Sequence, residues 1–277
     1  MSGEQIKTTK SPSQQTNAIA SSLDQIVDIP KETKALVVSA RSHDVVQWMK
    51  DVHEDWIQYP YIVTEDTNPS STLSVPANNG NEAMRYFSFI IDNYDSLPDI
   101  IAFRHGHNTA WHQASDSAAE INHLNLATVR SRGYQNFNCI MGFGCDQHIY
   151  LAEKQRAENE STNEPSKLLS TRSEPPVDEA IYDNWDAWFG VPMPEDVAAA
   201  CCAQFVVTKE AVYQRTKEKY VEYRQWLLST DLGNSHSGMV FERLWHVVFG
   251  MPPVMCMSNE QCYCDAYTSP LSGTCPP

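Results

Sequence analysis

The feature that most constrains the fold is the alternation of short apolar runs with segments of helical periodicity. Residues 35–40 form an apolar, β-branched run, and a helical pattern follows it. Residues 100–105 form a second run that turns polar at its end, as a central strand does when it delivers side chains to a site. A helix that begins at Glu82 precedes this second run. The alternation predicts a single α/β, Rossmann-like domain whose mostly parallel sheet is flanked by helices.

Composition predicts the boundaries of this domain. Residues 1–33 are polar and poor in aromatic side chains, so they are predicted to form a disordered, flexible tail. Residues 34–251 are predicted to be the catalytic domain, with a charged, exposed insertion at about 152–178 that contains two adjacent prolines. Residues 252–277 then form a cysteine-rich C-terminal tail.

Charge and hydropathy exclude several classes of protein. The net charge of −15 argues against a protein that coats nucleic acid, because phosphate contacts need clustered cations. It suits a cationic substrate, although ordinary solubility explains the same charge. No run of eighteen apolar residues occurs, and the first thirty residues lack the pattern of a secretory leader. The chain is therefore predicted to be cytoplasmic, with no membrane as a partner.

The eight cysteines are expected to be reduced in that compartment unless they bind metal or act chemically. Cys201 and Cys202 lie in a predicted strand over residues 201–207, where neighbouring side chains face opposite sides. At most one of these thiols would then reach a given crevice, and buried structural cysteines are the commoner outcome. The C-terminal cysteines lack the spacing of a zinc pair, so a local tie by metal or by oxidation remains open.

Three histidines lie at and beyond the end of the second run. If residues 101–107 are extended, His105 and His107 share one face, and His112 follows closely. The pair suits acid/base or hydrogen-bonding roles, and a metal site would need a third ligand such as His112 or an acidic residue. Structural histidines are the alternative. We assign no metal and no cofactor from the sequence.

Glu242 and His246 are four residues apart in a helix predicted over residues 237–249, so they share a face and are predicted to form an acid/base pair. The rest of this helix is strongly apolar, and a carboxylate there is costly unless it is paired or functional. Glu242 is therefore the best single catalytic candidate. An ion pair with an interior arginine is the alternative.

One concentration of basic and aromatic residues lies in a long helix predicted over residues 209–228. Such a helix can hold a phosphate backbone and stack bases, although a solvated face over an aromatic core is the commoner outcome. The sequence has no P-loop, GxGxxG or GxSxG motif. The five cations that are candidates for RNA binding are Lys209, Arg215, Lys217, Lys219 and Arg224.

Six stretches of the sequence together carry a resemblance to a known family. They are the opening strand with Asp44 and Trp48, residues 79–82, residues 93–99, residues 103–107 with Trp111 and His112, residues 201–205, and residues 237–246. From about residue 35 to the C-terminal cysteines, the chain resembles a fungal family described as a domain of unknown function. Some proteins that look like it are arginine-containing cyclodipeptide synthases, which join two amino acids carried by tRNA.

This resemblance implies an aminoacyl-tRNA-dependent cyclodipeptide synthase that forms a cyclo-arginyl dipeptide for a secondary-metabolite pathway. Its partners would be arginyl-tRNA and a second aminoacyl-tRNA, the basic helix would hold the tRNA, and no ATP would be needed. Glu242, His246, His105 and His107 would carry the chemistry, with proton transfer and oxyanion stabilisation as their tasks. The candidates for substrate binding are Asp44, Glu82, Trp111, His112 and Gln204.

Two other functions are compatible with the sequence. The opening strand, Asp44 and the turn at residues 79–82 look broadly like those of sugar-nucleotide enzymes, so a glycosyltransferase-like enzyme is the alternative. The missing D-x-D pair counts against it. A regulatory or scaffold protein with the same fold would tolerate Glu242→Gln and His105→Ala without loss of function.

Overall fold

The computed structural model describes residues 31–41, 44, 46–63, 73–142, 144–151 and 175–275. Most of the predicted N-terminal tail, residues 1–30, and of the predicted insertion, residues 152–174, lies outside this part of the chain. The strands are β1 (Lys34–Arg41), β2 (Trp56–Val63), β3 (Ile100–His105), β4 (Tyr134–Asn136), β5 (Ala198–Ala199), β6 (Phe205–Thr208) and β7 (Val254–Met255). The α-helices are α1 (Glu82–Asn93), α2 (Ser117–Asn122), α3 (Leu126–Arg132), α4 (Pro175–Phe189), α5 (Lys209–Val212), α6 (Lys217–Ser229), α7 (Asn234–Val248) and α8 (Asn259–Ala266).

The central sheet has five strands in the order β2-β1-β3-β6-β4. Strands β2, β1 and β3 are parallel, and β6 runs antiparallel to both β3 and β4. Four of the five strands therefore point the same way, and the predicted α/β class with a mostly parallel sheet is confirmed. β5 and β7 form a separate parallel pair.

The sheet is buried on both faces, because alternate residues of each strand point to opposite sides. Val37 and Phe103 pack with α1, α4, α6 and α7 into one core. Val38 and Ala102 pack with α2, α3, α8 and the 3₁₀ helix Val46–Asp51 into the other. This double burial explains why the strands appear in the sequence as nearly continuous apolar runs.

The predicted bounds of one helix and one strand are wrong. The helix predicted over residues 209–228 is two helices, because Thr216 caps a new one by accepting a hydrogen bond from the Lys219 N–H. The strand predicted over residues 201–207 begins only at Phe205. α4 begins at Pro175, within the last residues of the predicted insertion, and the rest of that insertion lies outside the described residues.

All eight cysteines are paired, which overturns the expectation of free thiols. The disulfides are Cys139–Cys262, Cys145–Cys256, Cys201–Cys202 and Cys264–Cys275. Four disulfides are typical of proteins from an oxidising environment, secreted or organellar, so the prediction of a cytoplasmic location is wrong. Sequence spacing failed here because two bonds join residues more than one hundred positions apart, which only the fold brings together.

The C-terminal segment predicted as a tail carries elements of its own. β7 pairs with β5, and Cys262 of α8 lies in the core beneath the sheet. Two of the disulfides tie this segment to residues 139 and 145. In the described part of the chain, no helix is both long and apolar enough to cross a membrane.

Candidate active site

A polar cleft of about 350 Å³ lies outside the carboxyl ends of β1 and β3. These ends lie side by side because the two strands are parallel, with Ser39 of β1 level with His105 of β3. We call this the β1–β3 cleft. Its lining residues are Ser39, Arg41, Asp44, Asn78, Asn81, Glu82, Arg85, His105, Gly106, His107 and Asn234.

Gly106 allows the chain after β3 to pack tightly against the end of β1. A Cβ atom at this position would lie 2.7 Å from the Ala40 Cβ and 3.0 Å from the Asp44 Oδ2. The Gly106 carbonyl accepts a 2.8 Å hydrogen bond from the Trp48 Nε1. The Asp44 Oδ2 accepts a 2.6 Å bond from the Arg41 N–H, which closes the turn after β1. These contacts fix the backbone on both sides of the cleft.

The start of α1 forms the next wall of the cleft. Asn81 precedes the helix with a positive φ of 49°, and its N–H donates a 2.9 Å hydrogen bond to the Asn234 Oδ1. The buried Arg85 donates from Nη1 to the Asn81 carbonyl and, at 3.0 Å, from Nη2 to the Asn78 Oδ1. We call the bonds of Arg85 to Asn78 and Asn81 the Arg85 clasp. Glu82 is the first residue of α1, so this clasp holds the backbone that carries its carboxyl group.

Glu82 is held in an unusual electrostatic setting. Its Oε2 lies 3.9 Å from the His105 Nε2. Burial raises the pKa of Glu82 to about 8, the negative charge of Glu242 adds to this rise, and the positive charge of Arg85 opposes it. Burial likewise raises the pKa of Glu242. A pKa of about 8 lets the Glu82 carboxyl group exchange a proton near neutral pH, as acid/base groups do.

His105, His107 and His112 come together beside Glu82. Their ring centroids are 5.2 Å apart for His105 and His107, 5.9 Å for His107 and His112, and 6.3 Å for His105 and His112. Burial is the main cause that lowers the pKa of all three imidazoles, to about 4 for His112. The lowered pKa values favour the neutral form of the three rings.

Gln204 reaches this cluster because β6 is antiparallel to β3, so the residue before β6 lies at the carboxyl end of β3. Its Oε1 accepts a 3.2 Å hydrogen bond from the His105 N–H, and its Nε2 lies 3.3 Å from the His112 Nδ1. The structure thus brings together five of the residues singled out in the sequence: Glu82, the three histidines and Gln204.

The structure gives Glu242 and His246 separate partners. The Glu242 Oε1 accepts a 3.0 Å hydrogen bond from the Cys202 N–H. The buried His246 lies with its Nε2 2.8 Å from the Pro253 carbonyl, and burial lowers its pKa to about 4. The predicted hydrogen-bonded pair does not form, because a shared helix face does not ensure contact when each side chain meets a different loop. Glu242 remains linked to the site through its charge on Glu82.

Cys201 and Cys202 form a disulfide between adjacent residues in the turn before β6. Cys202 and Ala203 have positive φ angles of 96° and 49°, so this segment is not extended. The expectation that the two thiols face opposite sides of a strand is therefore wrong. The turn presents the Cys202 N–H to Glu242, and the Asn138 Nδ2 donates to the Cys201 Sγ at 3.2 Å.

The cations predicted to hold tRNA all have partners within the chain. The ion pairs and hydrogen bonds are Lys209 with Asp99, Lys217 with Asp95 at 3.1 Å, Lys219 with Glu222 at 2.6 Å, Arg215 with the Val247 carbonyl at 3.3 Å, and Arg224 with Ser88 at 3.4 Å. Tyr220 and Tyr223 on the same helix point into the core. The aromatic residues of this segment therefore pack into the core, and RNA binding by its cations stays a prediction.

Trp111 and two arginines complete the surroundings of the cleft. The Trp111 side chain is 60% exposed beside His112, with ring centroids 5.2 Å apart. Arg41 and Arg85 line the cleft but were not singled out in the sequence. The sequence could have predicted Arg85, because it lies three residues after Glu82 and therefore on the same side of the helix.

A family described as a protein of unknown function (DUF3431) matches residues 36–265. No curated protein and no solved structure matches the chain. The resemblance to fungal cyclodipeptide synthases stays a prediction.

Proposed function

Since the chain belongs to the DUF3431 family, whose description assigns no activity, we propose its function from the β1–β3 cleft: it is a glycosyltransferase-like enzyme that uses a sugar nucleotide. The observation that carries the proposal is the convergence of carboxyl, guanidinium, amide and imidazole groups at the carboxyl ends of two parallel strands. Such a lining suits a hydroxyl-rich, charged ligand, because polar groups in a pocket fix the orientation of a ligand and provide specificity.

The position of the cleft supports a nucleotide as part of the substrate. β2 pairs with one edge of β1 and β3 with the other, so the strand order reverses between β1 and β3. In open α/β sheets, ligands bind in the crevice outside the strand ends at such a reversal. The domain would resemble a Rossmann-like fold in binding its ligand at the reversal of the strand order.

The lining of the cleft supports transfer of a sugar. Arg41 at the rim supplies positive charge for a diphosphate, while Asn78 and Asn234 supply amides for hydroxyl groups. The acceptor oxygen would bond to the anomeric carbon as the bond from that carbon to the diphosphate oxygen breaks. The nucleoside diphosphate leaves with the electron pair, and the Glu82 carboxylate takes the proton of the acceptor hydroxyl.

Cyclodipeptide synthesis remains the second candidate, and one observation favours it. The carboxyl groups of Asp44 and Glu82 line the same cleft and suit the guanidinium of an arginyl substrate. Two observations weigh against it: the five candidate cations for tRNA are engaged within the chain, and four disulfides fit poorly with a cytosolic tRNA pool.

One experiment separates the candidates. The full chain, purified without reductant, is incubated with a panel of sugar nucleotides, and release of nucleoside diphosphate is measured. In parallel it is incubated with arginyl-tRNA and other aminoacyl-tRNAs, and cyclic dipeptides are sought by mass spectrometry. We expect nucleoside diphosphate release that depends on Glu82. Cyclic dipeptide that ribonuclease abolishes would overturn the glycosyl-transfer proposal and support the second candidate.

A further inference from the structure

We propose that His105, His107 and His112 form a binding site for a divalent transition metal of the zinc class at the edge of the β1–β3 cleft. One candidate ligand atom from each ring lies within 4.8 Å of the other two. Ligands about 2.0–2.1 Å from a tetrahedral ion lie about 3.4 Å from one another. The present separations reach beyond this value, so the three side chains would have to move closer together around a bound ion.

The hydrogen bonding of the cluster supports a metal rather than a purely structural role. The Nε2 atoms of His105 and His107 are buried, and neither has a hydrogen-bond partner among the described residues. Leaving such a buried polar atom unpaired is unfavourable, because the atom has lost its hydrogen bonds to water. Two imidazoles in contact share this deficit, and a cation bound between them would satisfy both.

The surroundings have the features of a catalytic rather than a structural site. Three protein ligands leave one position for water or substrate, whereas structural zinc sites are closed by four. His105 and His107 line the cleft, so this position is accessible to substrate. Glu82, 3.9 Å from the His105 Nε2, is close enough to act on a bound water or hydroxyl group.

The other group of candidate ligands does not compete. Cys201, Cys202 and Glu242 also lie within 4.8 Å of one another, but both sulfur atoms are used in a disulfide. A disulfide sulfur is not a thiolate, and the thiolate is the form that binds metal. Within the described residues the three histidines are therefore the better site.

Metal binding is tested on the full chain without substrate, so the outcome does not depend on the proposed glycosyl transfer. The chain is stripped with chelator, dialysed, and titrated with Zn²⁺ and with Co²⁺, using calorimetry and the visible absorption of cobalt. We expect one equivalent bound by the wild type. His107→Ala and His112→Ala should each lower the affinity about 100-fold or more, because each removes one of three ligands.

His148→Ala is the matched control, because His148 is a partly exposed histidine beside a carboxylate, Asp196, outside the cluster. It should bind zinc as the wild type does. The melting temperature of the wild type should rise with zinc, and that of His107→Ala should not. Unchanged stoichiometry and affinity in both cluster variants, or no binding by the wild type, would overturn the metal site. Metal binding by a chain without nucleoside diphosphate release would instead overturn only the proposed function.

Discussion

The β1–β3 cleft and the basic face of α5 and α6, formed by Lys209, Lys217 and Lys219, are both rich in charged residues. They differ in how completely these residues are paired within the chain. In the cleft, Glu82 and three imidazoles meet with incomplete pairing, and buried nitrogen atoms lack partners among the described residues. On the basic face, Lys209, Lys217 and Lys219 each contact a carboxylate of the same chain. A buried group without a partner can form a new bond to a ligand. A charge that is already paired must first give up its partner. The comparison therefore supports the proposal that the cleft is the functional site.

The largest expected difference between the two regions is in turnover. Glu82→Gln removes the group that takes the proton, and the catalytic rate should fall about 10²- to 10⁴-fold. Glu222→Gln, which removes the partner of Lys219 on the basic face, should change the rate by no more than about twofold. Steady-state kinetics with the donor found in the panel measure both. Equal losses in the two variants would erase the distinction between the regions.

A smaller difference is expected in stability when one arginine of each region is shortened. Arg85→Lys cannot maintain both bonds to Asn78 and Asn81, so the free energy of unfolding should fall by about 1–3 kcal/mol. Arg224→Lys replaces a long bond to Ser88 and should stay within about 0.5 kcal/mol of the wild type. Denaturant titration gives both values. A greater destabilisation by Arg224→Lys than by Arg85→Lys would contradict the stabilising role of the Arg85 clasp.

The Asp99–Lys209 pair should contribute less, and its contribution should depend on pH. The hydrogen bond from Lys209, together with one from the Thr33 N–H, lowers the pKa of Asp99 to about 2. A lowered carboxyl pKa stabilises the fold above the unfolded value of about 3.9, and this contribution disappears as pH falls towards about 2. Both side chains are about one-third exposed, so solvent screening limits the effect to below about 1 kcal/mol.

The difference in free energy of unfolding between wild type and Asp99→Asn should therefore be present at about pH 6 and disappear near about pH 2. Chemical denaturation at several pH values measures it. A difference that grows as the solution becomes more acidic would have the wrong sign for this pair.

The smallest expected effect is on tRNA binding by the basic face. If these cations are committed within the chain, Lys217→Gln with Lys219→Gln should leave any residual tRNA binding and its salt dependence unchanged. For every cation that does bind a phosphate, its removal would instead lower the slope of log affinity against log salt by about 0.7–0.9. Filter binding at several salt concentrations distinguishes the two outcomes. A reduced slope would make the basic face a functional surface after all.

Several parts of the site could be predicted from the sequence, because they depend on the pattern of apolar and polar residues within one strand or helix. The apolar run of β3 and its polar end placed His105 and His107 at a strand terminus, and Glu82 at the start of a helix followed from local periodicity. Other parts were not accessible. Gln204 meets His105 only because β6 runs antiparallel, and Glu242 meets the turn at Cys202 rather than His246.

The sequence by itself determined the α/β class, the main strand ends and the polar residues they carry, because burial on both faces of a sheet leaves continuous apolar runs. Only the tertiary structure decided the partners. It paired eight cysteines across the chain, gave the cations of α5 and α6 partners close at hand, and gathered three imidazoles beside Glu82. The physical reason is that local pattern reports whether a side chain is buried, whereas pairing and pKa depend on atoms that are distant in sequence and near in space.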